Sequence, residues 1–309
     1  MHSTGPDFDI LLFDHFSNHC LANTVEPLRA VNMISGKAHY NWRYLTVDGQ
    51  PVQSSSGLQV APHGALNDGQ GTTLVLMPSY DFRAHQGWQN TRLLRASAKR
   101  YQYLAGLDTG SWLLAQAGLL DGYKATIHWE ELTNFSEEFP EVEVHRERFL
   151  IDRDRITCSG AMAAFDLIMH LIIATHGPLL GLEVAQLFMT RDSARSHTTP
   201  SRTSARLVDR AVAIMQANLE KPLAIGQVAK QVGCTQKTLE SKTHAELGTT
   251  PQTVYRRLRL NLARKLVIDS DLPVTEIACR CGYDNASAMT RAFKSEFSQT
   301  PRDFRKSSA

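Results

Sequence analysis

The stretch VTEIACRCGYDNASAMTRAFKSEF at residues 274–297 carries the clearest structural signal in this chain. Its apolar spacing and its glycine predict a short helix, a tight turn and a second helix. The pattern also occurs 49 residues earlier, where Val228-Ala229 and Gly233 match Ile277-Ala278 and Gly282. Helix, glycine turn and helix is typical of a helix-turn-helix, whose second helix enters the DNA major groove. The repeat therefore predicts two such units.

Each unit has residues that begin and end helices. We expect four helices, at 225–232, 236–247, 274–280 and 286–297. Thr235 and Asn285 can cap the second helix of each unit, and the glycines can take a left-handed turn. An arginine-rich segment at 253–268, apolar at helical spacing, predicts a connecting helix. Exposed positions of the second helices carry side chains that can reach base edges or phosphates, namely Gln236, Lys237, Thr238, Lys242, Asn285, Ser287, Arg291 and Lys294.

The charge is divided between the two ends of the chain. The net charge is only +2, yet residues 201–309 hold 18 basic and 10 acidic side chains, and residues 1–200 hold 15 and 21. A basic C-terminal third on an acidic body indicates that phosphates bind at one end. The alternative for the C-terminal part is a helical protein-binding module with a solvated basic face, which the repeat and the matched glycines disfavour.

The C-terminal part resembles the AraC/XylS family of transcription regulators over about the last 100 residues. The matching segments are Leu223-(x)4-Val228-Ala229, Gly248-(x)2-Pro251, Arg259-Leu260-(x)2-Ala263-Arg264, Pro273-Val274-(x)2-Ile277-Ala278, Arg291-(x)-Phe293-Lys294 and Pro301-(x)2-Phe304-Arg305. The resemblance implies two recognition helices in successive major grooves, about 34 Å apart. Ser241 and Thr243 replace an arginine and an aromatic residue that the first unit of the family usually has, so we expect the second helix to contribute more DNA affinity.

The first 190 residues alternate short β-rich runs with helical segments. Strands are predicted at 10–13, 43–47, 74–77, 103–107, 125–127, 149–152 and 156–158, and helices at 23–34, 88–98, 112–117, 129–138 and 161–175. This alternation predicts an α/β fold with a doubly wound, mostly parallel sheet. We expect a domain at 8–190, a polar linker at 191–206, and an all-α DNA-binding domain at 207–307 with two helix-turn-helix units.

The segment LAGLDTGSWLLAQAG at 104–118 predicts a strand, a sharp turn and a helix. Gly106 and Gly110 flank Asp108, and glycines on both sides of a residue permit the strained turn known as a nucleophile elbow. Such a turn exposes its central side chain at the carboxyl edge of the sheet, where open parallel sheets bind ligands.

Residues 8–190 resemble the class I glutamine amidotransferase-like, PfpI-like (flavodoxin-like) domain of GlxA-type AraC regulators. The match rests on the elbow and on LLDGYKATIHWE at 119–130, Glu26-Pro27-Leu28-Arg29-(x)2-Asn32 and Thr157-Cys158-Ser159-Gly160. It implies that Asp108 replaces the cysteine of enzymatic relatives, and that His128 and Glu26 correspond to their histidine and buried acid. A carboxylate cannot supply thiolate chemistry. Because Pro78-Ser79 also replaces the usual glycine pair, we predict that the pocket is kept and catalysis is lost.

A carboxylate in this pocket favours a cationic ligand, and aromatic faces can hold a quaternary ammonium or guanidinium group. His128 can orient Asp108 or bind a ligand carboxylate. The elbow with His-Trp-Glu-Glu at 128–131 resembles regulators of glycine betaine, dimethylglycine, carnitine or arginine catabolism. That resemblance implies an activator of a catabolic operon whose effector is a small cationic or zwitterionic, quaternary ammonium or amino-acid-like metabolite. The candidate effector-binding residues are Asp108, Thr109, His128, Trp129, Glu26, Tyr80 and Trp112.

Simpler explanations stay open for these residues. Asp108 can cap the following helix, Glu26 can be an ordinary first-turn carboxylate, and each aromatic residue can belong to the core. Two other functions also stay open. One is a hydrolase with Asp108 as nucleophile and His128 activating water; the other is a DNA-binding protein that responds to no ligand.

The sequence predicts no cofactor and no metal site. The five cysteines are scattered without CxxC spacing. No apolar run reaches the roughly 18 residues of a membrane span, and the N-terminus shows no secretory signal. We expect a cytoplasmic protein that is not an enzyme. Its expected partners are double-stranded operator DNA, a small-molecule effector, RNA polymerase and a second copy of the chain, with no membrane contact.

Overall fold

The computed structural model describes residues 7–188 and 204–308 of the chain. They form two compact units. The first extends to Ile172 without Ile34–Gly36, and the second comprises those three residues and the chain from Ile173 onward. The predicted linker 191–206 lies almost wholly outside the described residues, and the predicted domain boundaries remain predictions.

A parallel sheet forms the centre of the first unit. The strands are β1 (Phe8–Leu12), β2 (Trp42–Thr46), β3 (Val52–Gln53), β4 (Gln59–Val60), β5 (Gly64–Ala65), β6 (Thr73–Met77), β7 (Tyr103–Leu107), β8 (Lys124–Ala125), β9 (Glu143–Val144), β10 (Phe149–Asp152) and β11 (Arg155–Cys158). The main sheet has the order β10-β11-β7-β6-β1-β2-β5, in which only β10 and β11 are antiparallel. The remaining strands pair as β3 with β4 and β8 with β9. The predicted doubly wound, mostly parallel sheet is confirmed.

Helices cover both faces of this sheet. They are α1 (Asn18–Ser35), α2 (Trp88–Ala98), α3 (Gly110–Gln116), α4 (Leu132–Glu138) and α5 (Ala161–His176). Successive side chains of a strand point to opposite faces. Along β1, Leu11 therefore joins the core shared with α2 and α3, whereas Ile10 and Leu12 join the core shared with α1 and α5.

The described part of the second unit is helical. Its helices are α6 (Pro178–Leu187), α7 (Ser204–Ala217), α8 (Ile225–Gln231), α9 (Gln236–Leu247), α10 (Pro251–Asp269), α11 (Val274–Arg280), α12 (Ala286–Phe297) and α13 (Pro301–Ser308). The pairs α8–α9 and α11–α12 are the two predicted helix-turn-helix units. None of the helices described in either unit has the length and apolar character needed to cross a membrane.

Each helix-turn-helix unit has its own apolar core, and α10 belongs to both. Val254 and Leu258 pack in the first core with residues of α7, α8 and α9. Leu260 and Val267 pack in the second core with residues of α11 and α12. The predicted connecting helix is therefore confirmed, although it extends from Pro251 to Asp269.

Several elements differ from the sequence prediction. Helix α1 begins at Asn18, five residues earlier than expected, and the predicted strand 125–127 is reduced to the short β8 outside the main sheet. The predicted helix 129–138 begins as a 3-10 turn at Trp129–Glu131 before α4. Helices α6, α7 and α13 were not predicted.

Candidate effector site and DNA-binding surface

The turn after β7 has the geometry of a nucleophile elbow. Asp108 has a left-handed backbone with φ of +61°, and α3 begins two residues later. A side chain on Gly106 would come within 2.5 Å of the Ser111 nitrogen, and one on Gly110 would collide with the carbonyl oxygen of Leu76. Both glycines are therefore required by close backbone packing. A left-handed non-glycine residue is strained, and such strain is concentrated at functional sites.

A cavity of about 580 Å³ opens beside this elbow, at the carboxyl ends of β6 and β7. This edge is where parallel α/β sheets bind ligands, and the volume lies within the range of small-molecule sites. Five of the seven predicted effector residues line it. The lining residues are Ser79, Tyr80, Asp81, Phe82, Arg83, Asp108, Thr109, His128, Trp129, Glu130 and Glu131.

Asp108 is the most buried carboxylate of the cavity. Burial raises the pKa of its carboxyl group, and Glu130 adds to the rise, whereas the Ser79 hydroxyl and His128 oppose it. The Ser79 hydroxyl is buried and lies near the Asp108 carboxylate. The backbone nitrogen of His128 donates to the Asp108 carbonyl oxygen at 3.1 Å, which ties the two segments together.

The rim of the cavity is acidic and aromatic. Tyr80 and Trp129 are 60% and 63% exposed, so their rings are available to a ligand. A carboxylate oxygen of Glu130, Oε2, lies 3.8 Å from Nδ1 of His128. Four carboxylates in total line the cavity against two basic side chains among the described residues, Arg83 and His128. The cavity therefore favours positive charge.

Two predicted effector residues lie elsewhere. Trp112 is 6% exposed and packs edge-on against Phe139 with ring centroids 5.2 Å apart, so it is a core residue. Its ring also lies near those of Phe82 and Phe135, on the 3-10 turn after β6 and on α4. Oε2 of Glu26 lies 2.7 Å from Nε of Arg29. Both side chains are nearly half exposed, so Glu26 lies on the solvent side of α1. These two assignments to the pocket are corrected.

The side chain of α1 that lies near Asp108 is Cys20. Cys20 is fully buried, and burial, with Cys158 and Asp108, raises its thiol pKa. Burial raises the pKa of Cys158 to about 12. Both thiols are therefore protonated near neutral pH and poor nucleophiles. Within the described ranges, no cluster of three or more His, Cys, Asp or Glu side chains could hold a metal ion.

Sequence reasoning missed several lining residues, Ser79, Asp81, Phe82, Arg83, Glu130 and Glu131. Most of them could have been found from position alone. They follow the predicted strand 74–77 directly or belong to the His-Trp-Glu-Glu run, and loops after adjacent parallel strands meet at one edge.

The two predicted recognition helices have the expected starts. Oγ1 of Thr235 accepts a hydrogen bond from the Thr238 nitrogen at 3.1 Å, and Oδ1 of Asn285 accepts one from the Ala288 nitrogen at 2.8 Å. The turn glycines are left-handed, with φ of +79° at Gly233 and +69° at Gly282. All eight predicted DNA-contacting side chains are exposed.

Two arginines of α10 connect this helix to other parts of the helical second unit. Arg259 donates to the carbonyl oxygens of Cys281 and Gly282 at 2.7 and 2.6 Å, and its guanidinium lies 4.1 Å from the ring centroid of Tyr283. It therefore fixes the turn before α12. Arg257 is engaged with Glu183 of α6 at 2.8 and 2.9 Å.

The two helix-turn-helix units differ at the position where the first lacks the aromatic residue usual in the family. Thr243 is buried in the first helix-turn-helix unit, where its small side chain fills little space. In the second helix-turn-helix unit, the ring centroid of Phe293 lies 4.6 Å from that of Phe297 and 5.8 Å from that of Phe304. The recognition helix of the second unit is thus backed by a larger aromatic core.

Two helix-turn-helix units with exposed basic and amide side chains define the class of DNA-binding transcription regulators. A model of the helix-turn-helix domain matches residues 228–307. The chain is 33% identical over 303 residues to the HTH-type transcriptional regulator GbdR of Pseudomonas aeruginosa. The aligned region covers 96% of this chain and 83% of that relative. It is 31% identical over 313 residues to the HTH-type transcriptional regulator GlxA of Rhizobium meliloti, covering 96% and 95%. The chain therefore belongs to the AraC family of transcription regulators, in its GlxA-type group.

A solved structure supports the same assignment. The crystal structure of an AraC family transcriptional regulator from Pseudomonas putida superposes with a TM-score of 0.54 and 26% identity, over 59% of this chain and 98% of that chain.

Proposed function

We propose that this regulator activates a catabolic operon when a small cationic or zwitterionic metabolite occupies the cavity at Asp108. The observation that carries the proposal is a strained elbow that presents a carboxylate in an acidic, aromatic-edged cavity, on a chain that also has two helix-turn-helix units. A strained residue persists only where its surroundings hold it, and such residues cluster at ligand sites.

The electrostatics of Asp108 support a cation. Its raised pKa reflects the loss of water around the carboxylate. A bound cation would replace that lost solvation with direct attraction in a partly dry site. Tyr80 and Trp129 are exposed at the rim, and a quaternary ammonium or guanidinium group binds favourably over such rings. The resemblance to regulators of betaine, carnitine or arginine catabolism supports the same class of effector.

We propose that the cavity binds its ligand without turnover. Neither buried thiol near the elbow is activated, and Asp108 stands where enzymatic relatives have a cysteine. Detectable conversion of a bound compound would instead support the alternative of a hydrolase that uses Asp108 as nucleophile.

The remaining partners follow from the family. We propose that the seven predicted side chains of α9 and α12, together with Asn285 just before α12, contact operator DNA and that the active form is a homodimer working with RNA polymerase. Because operator DNA is the target, we expect the protein in the cytoplasm.

Thermal unfolding tests the effector site. Full-length protein is heated with tetramethylammonium, choline, glycine betaine, carnitine or arginine. Saturation at about 100 times Kd stabilises a folded state by about 2.7 kcal/mol, which corresponds to roughly 5–10 °C for a unit of this size. Asp108→Asn should abolish the shift. Asparagine tolerates a left-handed backbone and removes the buried charge, so the variant should unfold no earlier than wild type without ligand.

Asp121→Asn, at an exposed position of the first unit, is the matched control and should keep the shift. A ligand-induced shift that survives in Asp108→Asn would exclude this cavity as the effector site. A wild-type protein that responds to none of the five compounds would oppose a cationic or zwitterionic effector. A transcription reporter with the same variants then connects occupancy to activation.

A further inference from the structure

We propose that Glu131 occupies the guanidinium of Arg83 and thereby makes the cavity select organic cations that carry no carboxylate. This inference rests on the proposed effector site and narrows its ligand class. It assigns Glu131 as a specificity-determining residue, although Glu131 need not touch the ligand.

The Arg83–Glu131 pair is bidentate. Two nitrogens of the guanidinium, Nη1 and Nη2, donate to the two oxygens of Glu131 at 3.0 and 2.5 Å. A bidentate arginine–carboxylate pair has a fixed geometry, and this one engages the Nη1–Nη2 end of the guanidinium, so a ligand carboxylate would have to compete with Glu131 for that end. Asn134 also donates to Glu131 at 3.2 Å, which holds the carboxylate in place.

The guanidinium is also held against aromatic rings. Its carbon lies 4.6 Å from the ring centroid of Phe82 and 4.9 Å from that of Trp112. Both rings are buried. The Arg83 side chain is half exposed, and turning its guanidinium towards a ligand would break its contacts with both the rings and Glu131.

The other basic side chain described at the cavity, His128, also lies close to a carboxylate. The Glu130 carboxylate lies 3.8 Å from Nδ1 of His128, and His128 also interacts electrostatically with Asp108. A zwitterionic ligand would thus bring its carboxylate to a site where Asp81, Asp108 and Glu130 also stand. Like charges brought together in a binding site cost affinity, whereas the ammonium end gains the same contacts in either ligand.

Choline and glycine betaine form a suitable pair of probes, because they share a trimethylammonium group and differ at a hydroxymethyl or carboxylate end. We expect wild-type full-length protein to bind choline at least about tenfold more tightly than glycine betaine in isothermal titration calorimetry. Glu131→Gln frees Arg83, so the choline-to-betaine preference should fall by at least about tenfold or reverse.

Two further variants separate freeing of the guanidinium from loss of a negative charge. Asp81→Asn removes one carboxylate from the same cavity without touching Arg83, and asparagine suits its left-handed backbone with φ of +52°. It should change the preference far less than Glu131→Gln. The double variant Arg83→Gln/Glu131→Gln has no guanidinium to offer, so the gain in betaine affinity should vanish.

The outcomes are distinguishable. Equal or tighter binding of glycine betaine by wild-type protein overturns the proposed selectivity but leaves the effector site standing. An equal change in Asp81→Asn and Glu131→Gln overturns the role of Arg83. Absence of binding by choline, glycine betaine and tetramethylammonium overturns the proposed selectivity, and absence of binding by carnitine and arginine as well overturns the proposed effector site. The wild-type comparison stands even if a variant fails to fold.

Discussion

The ion pair between Glu183 and Arg257 should respond unequally to loss of its two partners. Glu183 lies on α6 with a side chain only 2% exposed, and it accepts hydrogen bonds from Arg257 at 2.8 and 2.9 Å and from Asn261 at 3.1 Å. Arg257 is 25% exposed and also lies 3.4 Å from Glu296. The buried Glu183 carboxylate therefore loses most of its charge compensation without Arg257, whereas Arg257 without Glu183 keeps partial solvation and Glu296.

The expected free energies follow from this asymmetry. Arg257→Met leaves a buried carboxylate with only the Asn261 amide, so it should lower the stability of the helical unit by about 3–5 kcal/mol. Glu183→Gln leaves an arginine that is partly solvated and still paired with Glu296. Burial also raises the pKa of Glu183 despite the arginine, so its ionised form is not fully compensated. The Glu183→Gln variant should therefore lose only about 1 kcal/mol, and the double variant should be more stable than Arg257→Met.

Urea unfolding with two probes measures the effect. All four tryptophans of the chain precede Ile172, so tryptophan fluorescence follows the first unit, whereas helical circular dichroism also follows the second. Arg256→Met, at the adjacent exposed position, is the control. Because the pKa of Glu183 is raised, Arg257→Met should regain stability as the pH falls and the carboxyl becomes protonated. A loss in Glu183→Gln that equals or exceeds the loss in Arg257→Met would refute this reasoning.

Three shorter predictions concern the DNA surface and the elbow. On duplex DNA selected by the wild-type protein, Arg291→Ala should weaken binding more than Gln236→Ala and reduce the salt slope by about one, measured by fluorescence anisotropy; the reverse order would contradict a dominant second helix. Gly110→Ala should destabilise the first unit by about 1–3 kcal/mol in fluorescence-detected unfolding, because the methyl group meets the Leu76 carbonyl; an unchanged midpoint would contradict this. Cation affinity should fall on acidification at pH values above the ordinary aspartate pKa of 3.8, since protonation of Asp108, whose pKa is raised, competes with the cation; a pH-independent affinity in calorimetry would contradict this.

Local sequence signals were sufficient for the elements that repeat or alternate. The second helices at 236–247 and 286–297 have the predicted bounds, because each has a capping residue before it and a core residue at helical spacing inside it. The elbow was predictable because Gly106 and Gly110 are required by backbone packing. Helix α6 was not predicted, and its PLLGLEVAQL sequence follows Gly177 and includes a further glycine, which lowers its intrinsic helix propensity.

The chemistry of the cavity was only half predictable. Asp108 and His128 stand in recognisable motifs, but whether an aromatic residue lies in the core or at the rim depends on its packing against residues distant in the sequence. Trp112 and Trp129 were therefore indistinguishable from sequence, although one is buried and the other exposed. The pair of Arg83 and Glu131 joins residues 48 positions apart, and no local pattern connects them.

Helix α10 has a mechanical consequence for DNA recognition. It is one continuous helix of 19 residues that contributes to the cores of both helix-turn-helix units, while Arg259 fixes the turn before α12. One residue inserted in the middle of such a helix rotates everything after it by about 100° and advances it by about 1.5 Å. The angular phase between the two recognition helices is therefore encoded in the residue count of α10. Insertions there should change which spacing of half-sites the protein reads, even though every DNA-contacting side chain is unchanged.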